Sequence, residues 1–218
     1  MSTQLSYLTL AGGGQSLYED RKSRFLGHAA AVATEEQALC FLKSVRETYR
    51  DASHHCYAWR LRDNHLARYS DDGEPAGTAG LPMMEVLTGG DIVDVIVVVT
   101  RYFGGTLLGT GGLVRAYTKA AQRAVADAGV ARMTACDLAM CAVAYNKKTQ
   151  VEALIAQHGG GVDELEFGAD LLYTYYTPAA RTDGFEAALT ELTLGQAQPI
   201  RVERQYRALP VPCDFEKF

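Results

Sequence analysis

Hydrophobic and polar positions divide the 218-residue chain into short segments with one of two periods. Alternating or continuous short apolar runs predict β-strands, and apolar positions three and four residues apart predict helices. In the first part of the chain they predict strands at residues 3–10, 23–32, 55–61, 66–70 and 92–101 and helices at residues 35–49, 82–87 and 111–128. Thr34 is the predicted N-cap of the first helix, and Gly129 is predicted to end the last one.

The second part of the chain repeats a shorter rhythm. It predicts a strand at residues 138–145, a helix at 147–158, strands at 162–167 and 171–177, a helix from a cap at Thr182, Asp183 or a neighbour to Leu194, and a strand at 198–207. This is the β-α-β-β-α-β order of ferredoxin-like domains. The chain is therefore predicted to be an α+β protein with a first domain at residues 1–130, a ferredoxin-like second domain at 131–210 and a tail at 211–218.

The most distinctive segment is residues 94–117, where a buried strand runs into a glycine loop and then a long helix. The loop glycines are Gly104, Gly105, Gly109, Gly111 and Gly112. Free N–H groups at such a helix start suit an anion, and Arg101 and Arg115 are placed to flank it. The alternative is that the glycines only let helix and strand pack closely. The loop has neither a P-loop ending nor a dinucleotide-binding spacing, so no nucleotide is predicted.

A polar loop holds three carboxylates, Asp71, Asp72 and Glu74. Carboxylates at this density can hold a hard cation or supply a general base. The alternative is a solvated turn, which most acidic loops are, and that interpretation is favoured because the spacing is not that of an EF-hand. We predict no metal and no cofactor.

His54 and His55 are adjacent on a predicted strand, so their side chains point to opposite faces. One is expected near Asp71 or Glu74 and the other inside the domain. Cys56 shares a face with His54, which makes a His54/Cys56/Asp72 metal or nucleophilic site conceivable. A structural histidine on a strand is the favoured alternative.

Net charge, cysteine content and hydrophobicity limit the classes of function that fit this chain. The net charge is −5 and most of the excess acid follows residue 130, so a basic surface is expected only in the first part. There, Lys22 and Arg24 share a face of their predicted strand and could extend a basic groove, although two solvated side chains on an edge are the favoured alternative. The five scattered cysteines are typical of reduced thiols in a cytoplasmic protein. No apolar run approaches the length of a membrane helix, so no membrane association is expected.

Four motifs occur together in the first part of the chain. They are KSRF from Lys22, SHHCYAW from Ser53, SDDGEPAGTAG from Ser70, and RYFGG with LGTGGL and RAY from Arg101. Over residues 15–130 these motifs, in this order, resemble the IMPACT/YigZ family, and the length and acidic second part are similar to its bacterial form. Ala76 and Leu81 depart from the family, which often has a serine and a polar residue there.

The resemblance implies a first domain like domain 2 of ribosomal protein S5 and a ferredoxin-like second domain. It also implies a link to translation, since eukaryotic relatives compete for an activator of the amino-acid-starvation kinase through an extra N-terminal module. The leading hypothesis is a regulatory or binding protein that engages RNA, the ribosome or a translation-regulatory protein through its first domain. The alternative is a hydrolase or transferase that acts on a small anionic substrate in a cleft of that domain.

Overall fold

The structure is a computed structural model. It describes residues 5–209, the side chain of Asn64 excepted. The described chain forms two compact units, Tyr7–Arg132 and Met133–Leu209, the latter with residues 5–6. Each unit mixes helices with an antiparallel sheet, which confirms the predicted α+β class.

The first unit contains a sheet with the strand order β2-β3-β6-β4-β5. After β1 (Ser6–Leu10), which belongs to the other sheet, the elements are β2 (Gly14–Asp20), β3 (Ser23–Ala31), α1 (Glu35–Thr48), β4 (His54–Arg60), β5 (Ala67–Ser70), α2 (Gly80–Gly89), β6 (Val95–Tyr102) and α3 (Thr110–Ala128). A single 3-10 turn, Asp63–His65, joins β4 to β5. Thr34 caps α1 as predicted, because its hydroxyl accepts a hydrogen bond from the Gln37 N–H.

Helices cover both faces of this sheet, which explains the continuous apolar run in β6. Val97 and Val99 pack in the core with α2 and α3. Ile96 and Val98 face the other way and pack with α1 around Trp59. Successive residues of a strand point to opposite faces, so a strand buried on both sides needs apolar residues at every position.

Strand β2 was not predicted, because it is polar and lies at the edge of the sheet. Its exposed row of backbone groups is partly occupied by side chains of α3. The Gln15 N–H donates to Asp127 Oδ2 at 2.9 Å, and Arg123 Nη1 donates to the Leu17 carbonyl at 3.2 Å. The edge therefore has some of its hydrogen-bonding groups already satisfied.

The second unit follows the predicted order of elements. They are β7 (Val130–Val143), α4 (Lys148–Gln157), β8 (Gly161–Phe167), β9 (Leu171–Pro178), α5 (Thr182–Thr193) and β10 (Ile200–Leu209). The sheet has the order β1-β7-β9-β8, and β10 also pairs with β7. The core contains Tyr173, Tyr175 and Phe185.

One boundary predicted in the second unit was wrong. Strand β7 begins at Val130 rather than at residue 138. The N-cap of α5 is Arg181, a neighbour of Thr182 as the prediction allowed, and it makes no side-chain hydrogen bond to the helix. Thr182 is buried instead, and its hydroxyl donates to Asp137 Oδ2 at 2.8 Å. In residues 5–209, no helix is both long and apolar enough to cross a membrane.

Candidate functional site

The loop glycines have different structural roles at different positions. A Cβ atom added to Gly104 would lie 2.1 Å from the backbone of Lys22, so Gly104 is required for close packing. Gly105 and Gly109 have φ angles of 80° and 72°, which favour glycine. A side chain on Gly111 would meet nothing within 4 Å. Gly112 lies against the Leu108 side chain, 3.0 Å from an added Cβ. Packing thus explains Gly104 and Gly112, but it does not explain Gly111.

The start of α3 is capped by no side chain that the structure describes. Gly109 is its N-cap, and the first helical hydrogen bond runs from the Leu113 N–H to the Gly109 carbonyl. The two arginines expected to flank this helix start lie in different environments. Arg101 is buried beside the cavity described next, whereas Arg115 is exposed and does not line it.

A cavity of about 490 Å³ lies between the glycine loop, β4 and the start of α3. Its polar floor is formed by His54, Glu74 and Arg101. Its walls are apolar and include Phe103, Leu107, Leu108 and Leu113. Of the residues singled out in the sequence, the structure therefore brings His54, Glu74, Arg101 and Gly109 to one cavity.

A buried ion pair forms the floor. Arg101 Nη1 donates to Glu74 Oε1 at 2.6 Å, and the two side chains are only 6% and 3% exposed. The Tyr117 hydroxyl donates to the same oxygen at 2.8 Å. The guanidinium also lies over the Phe103 ring, with 5.5 Å from its carbon to the ring centre. The charge of Arg101 is thus compensated inside the protein.

His54 reaches the floor because β4 pairs with β6, so that His54 lies directly opposite Arg101. Its Nδ1 lies 2.8 Å from the Asp72 carbonyl. A carbonyl oxygen only accepts hydrogen bonds, so Nδ1 carries the proton of this bond. Nε2 consequently faces Glu74 Oε1, at 3.9 Å.

The polar loop is a structural turn. Asp71 accepts hydrogen bonds from the N–H groups of Gly77, Ala79 and Gly80. Burial raises the pKa of Asp71, but these three donors outweigh it and leave that pKa below its usual value. Asp72 accepts from Arg46 at 2.7 Å and from the His55 N–H at 2.7 Å. Each carboxylate of the loop is therefore used by protein donors.

His55 and Cys56 do not join His54 in a reactive site. The His55 ring is buried on the opposite face, where Nδ1 lies 3.0 Å from the Thr100 hydroxyl. Burial raises the pKa of the Cys56 thiol, which disfavours the nucleophilic thiolate. Within the described part of the chain, no three His, Cys, Asp or Glu residues are arranged to hold a metal ion.

Lys22 and Arg24 are both exposed near the start of β3. Lys22 lies in the turn before β3, with a φ angle of 66°. Arg24 pairs across the sheet with Tyr102, and Phe25 pairs with Arg101. Arg24 and Arg101 therefore point to opposite faces of the sheet, and Arg24 contacts Glu19 at 3.7 Å instead.

Three cationic side chains form a basic stripe on α3, and only the first of them, Arg115, belongs to a sequence motif. Arg115, Lys119 and Arg123 are spaced by four residues, all are exposed, and none forms a salt bridge with an acid among residues 5–209. Lys119 and Arg123 lie 5.5 Å and 5.3 Å from the ring centre of Tyr18. By contrast, six other arginines of the unit are ion-paired: Arg24, Arg46, Arg60, Arg62, Arg68 and Arg101. The spacing on a predicted helix was the signal that could have revealed this α3 basic stripe.

The chain is a two-domain α+β protein, and each domain contains an antiparallel sheet. Its first domain contains the glycine loop and an accessible cavity over a buried ion pair. Comparison with known families agrees with this architecture. Residues 21–125 match the Impact N-terminal domain, and residues 141–196 match a domain of unknown function, DUF1949. The chain belongs to the IMPACT family.

Relatives match along nearly the whole chain. The IMPACT family member YigZ of Escherichia coli is 37% identical over 201 residues, which are 91% of this chain and 98% of YigZ. The IMPACT family member YvyE of Bacillus subtilis is 34% identical and covers 88% of this chain and 89% of its own. A crystal structure described as that of a hypothetical protein is 37% identical, covers 92% of this chain and 98% of its own, and has a TM-score of 0.59.

Proposed function

We propose that this protein is a translation-linked regulatory protein that engages RNA, free or on the ribosome, through the α3 basic stripe. The observation that carries the proposal is the stripe itself. Arg115, Lys119 and Arg123 present positive charge on one helix face without a salt bridge to any acid among residues 5–209, although the protein as a whole is acidic. Cations grouped beside an aromatic ring are typical of surfaces that follow a phosphate backbone.

Membership of the family supports the link to translation, because eukaryotic relatives that the sequence resembles regulate that process. The element order of the second unit supports a ferredoxin-like fold, with strands in the order β10-β7-β9-β8. We assign the first unit to the fold of ribosomal protein S5 domain 2 on the same family resemblance. Four described cysteines are free thiols, which supports a cytoplasmic location.

Binding of the full chain to single-stranded RNA and to ribosomes at low salt tests the proposal. The double variant Arg115→Ala/Lys119→Ala is expected to weaken binding to all sequences alike. It should also reduce the slope of log affinity against log salt by about 1.4, since each lost phosphate contact on a single strand contributes about 0.7. The matched control is Lys43→Ala/Arg50→Ala, which removes the same charge from α1 and the turn that follows it.

Two results would contradict the proposal. One is the absence of any complex in both gel shifts and ribosome co-sedimentation at low salt. The other is an equal loss of affinity in the α3 variant and the α1 control, because binding would then depend on net charge rather than on the stripe.

The cavity is the observation that favours the second candidate, a hydrolase or transferase acting on a small anionic substrate. Its chemistry gives this candidate less support. Glu74 already neutralises Arg101, and the raised pKa of Cys56 disfavours a thiolate nucleophile. His54 remains as an acid–base group. Turnover of a phosphate monoester or an acyl ester that disappears in His54→Ala, but not in His65→Ala, would favour the enzyme.

A further inference from the structure

The cavity over the buried ion pair has the size and walls of a small-molecule site. Its volume of about 490 Å³ lies within the range of ligand pockets. Two of its lining side chains, Phe103 and Leu107, are 49% and 80% exposed. Apolar side chains this exposed gain from contact with a flat apolar body, and Phe103 can stack on one.

The charges on the floor select against a charged ligand. Arg101 and Glu74 cancel each other at 2.6 Å, deep in the protein. An added carboxylate would lie beside Glu74, and an added ammonium would lie beside Arg101. Either would bring a net charge into a poorly solvated site, which is unfavourable. A neutral head group avoids this cost.

The floor nevertheless offers one open hydrogen-bond acceptor, His54 Nε2, beside the Glu74 oxygen that already accepts from Arg101 and Tyr117. Because Nδ1 of His54 donates to Asp72, Nε2 of the neutral ring can only accept. It faces Glu74 Oε1 at 3.9 Å, and no group among the described residues donates a hydrogen bond to it. A neutral group with an N–H donor is best suited to satisfy this acceptor beside the carboxylate.

Helix α3 joins the cavity to the basic stripe. Thr110 and Leu113 line the cavity, and Arg115 and Lys119 follow on the exposed side of the same helix. At 1.5 Å of rise per residue, Lys119 lies only about 9 Å along the helix axis from Leu113. With 3.6 residues per turn, the stripe lies on the side of α3 away from Leu113, so a ligand with a flat body in the cavity can bring its phosphates to the stripe by passing over the exposed helix start at Thr110 and Gly111.

We propose that the cavity binds one unpaired nucleobase that carries an amino group, with its ring against Phe103 and its amino group between His54 and Glu74. This inference rests on the proposed RNA function and deepens it. Cytosine, adenine and guanine carry an amino group, whereas uracil has a carbonyl in the position of the cytosine amine.

The test compares oligocytidylate, oligouridylate and an abasic ribose-phosphate oligomer, each about ten nucleotides long. The full-length protein is expected to bind oligocytidylate about ten-fold more tightly than the other two, within the range for one recognised base. His54→Leu should abolish the preference for cytosine over uracil. Phe103→Ala should weaken oligocytidylate binding about ten-fold through lost stacking.

Matched controls are His65→Leu and Tyr69→Ala, because His65 and Tyr69 are exposed residues of the same unit that do not line the cavity. Both controls should retain the cytosine preference. Equal binding of the three oligomers, still sensitive to Arg115→Ala/Lys119→Ala, would overturn the base pocket and leave the RNA proposal intact.

If no oligomer binds, the RNA proposal fails and the pocket is judged separately with free nucleosides. Cytidine and uridine are titrated against the protein while the imidazole NMR signals of His54 are followed. Signals that move with cytidine alone support a base site. Signals that respond to neither nucleoside, or to both equally, overturn it.

Discussion

Replacing Glu74 by glutamine removes one charge of the buried ion pair while keeping the size of the side chain. The Arg101 guanidinium would then stay charged with only 6% of its side chain exposed. Removing one partner of a buried pair typically costs about 3–5 kcal/mol, because the other charge is left uncompensated. We expect a loss of this size in the free energy of unfolding of the first unit.

A double-mutant cycle separates the pair from its surroundings. Arg101→Met should cost less than Glu74→Gln, because the Glu74 carboxylate keeps the hydrogen bond from the Tyr117 hydroxyl at 2.8 Å. The double variant should cost less than the sum of the two single variants, by about 2 kcal/mol or more. The control cycle uses the exposed pair Arg68–Glu35, for which a coupling of about 0–1 kcal/mol is expected.

The assay is urea unfolding followed by tryptophan fluorescence. Trp59 is the single tryptophan of the chain and lies buried in the first unit, so its signal reports that unit. This matters because a chain with two units need not unfold in one step. Losses that add up in the double variant, or a coupling no larger than that of the exposed pair, would refute the electrostatic argument.

The remaining predictions concern packing, turns and pH. Gly104→Ala should destabilise the first unit by about 2–3 kcal/mol, because its Cβ would overlap backbone, whereas Gly111→Ala should be neutral or stabilising by up to about 1 kcal/mol. Equal thermal melting of these two variants would contradict the assigned roles. Asp71→Asn should cost about 1.5–3 kcal/mol in urea unfolding, since three N–H groups lose a charged acceptor. Burial, as the largest cause, lowers the pKa of His28 and of His55 below the usual 6.5. As the pH falls, these histidines therefore take up protons at a higher pH in the unfolded chain than in the folded protein. The free energy of unfolding should thus decrease as pH drops below about 6.5. A urea midpoint that is constant or rises in this pH range would contradict this.

Most helices and strands could be predicted because short-range sequence patterns determine them. Apolar runs buried on both faces identified β6, and the Thr34 hydroxyl identified the start of α1. Strand β2 could not be found in the same way, because an edge strand has fewer apolar positions and its pairing with β3 is a tertiary contact. The sequence also could not choose among the cap candidates of α5, since the bond of the buried Thr182 hydroxyl to Asp137 is a tertiary contact.

The candidate site was predictable only as a set of residues. Glu74 and Arg101 are 27 residues apart, and nothing in their spacing shows that they pair. Tyr117 was part of a motif, yet its bond to Glu74 depends on how α3 packs over the sheet. Geometry also divided the candidates: Arg115 lies on the exposed stripe, whereas Asp71 holds a turn.

The side-chain bonds along β2 have a consequence for self-association. An unpaired edge strand can template pairing with a second copy of the chain and lead to aggregation. Asp127 and Arg123 occupy one N–H and one carbonyl that a second strand would need. A ligand that binds Arg123 would free the Leu17 carbonyl. Ligand binding at the stripe and the tendency of the protein to aggregate are therefore linked through this one side chain.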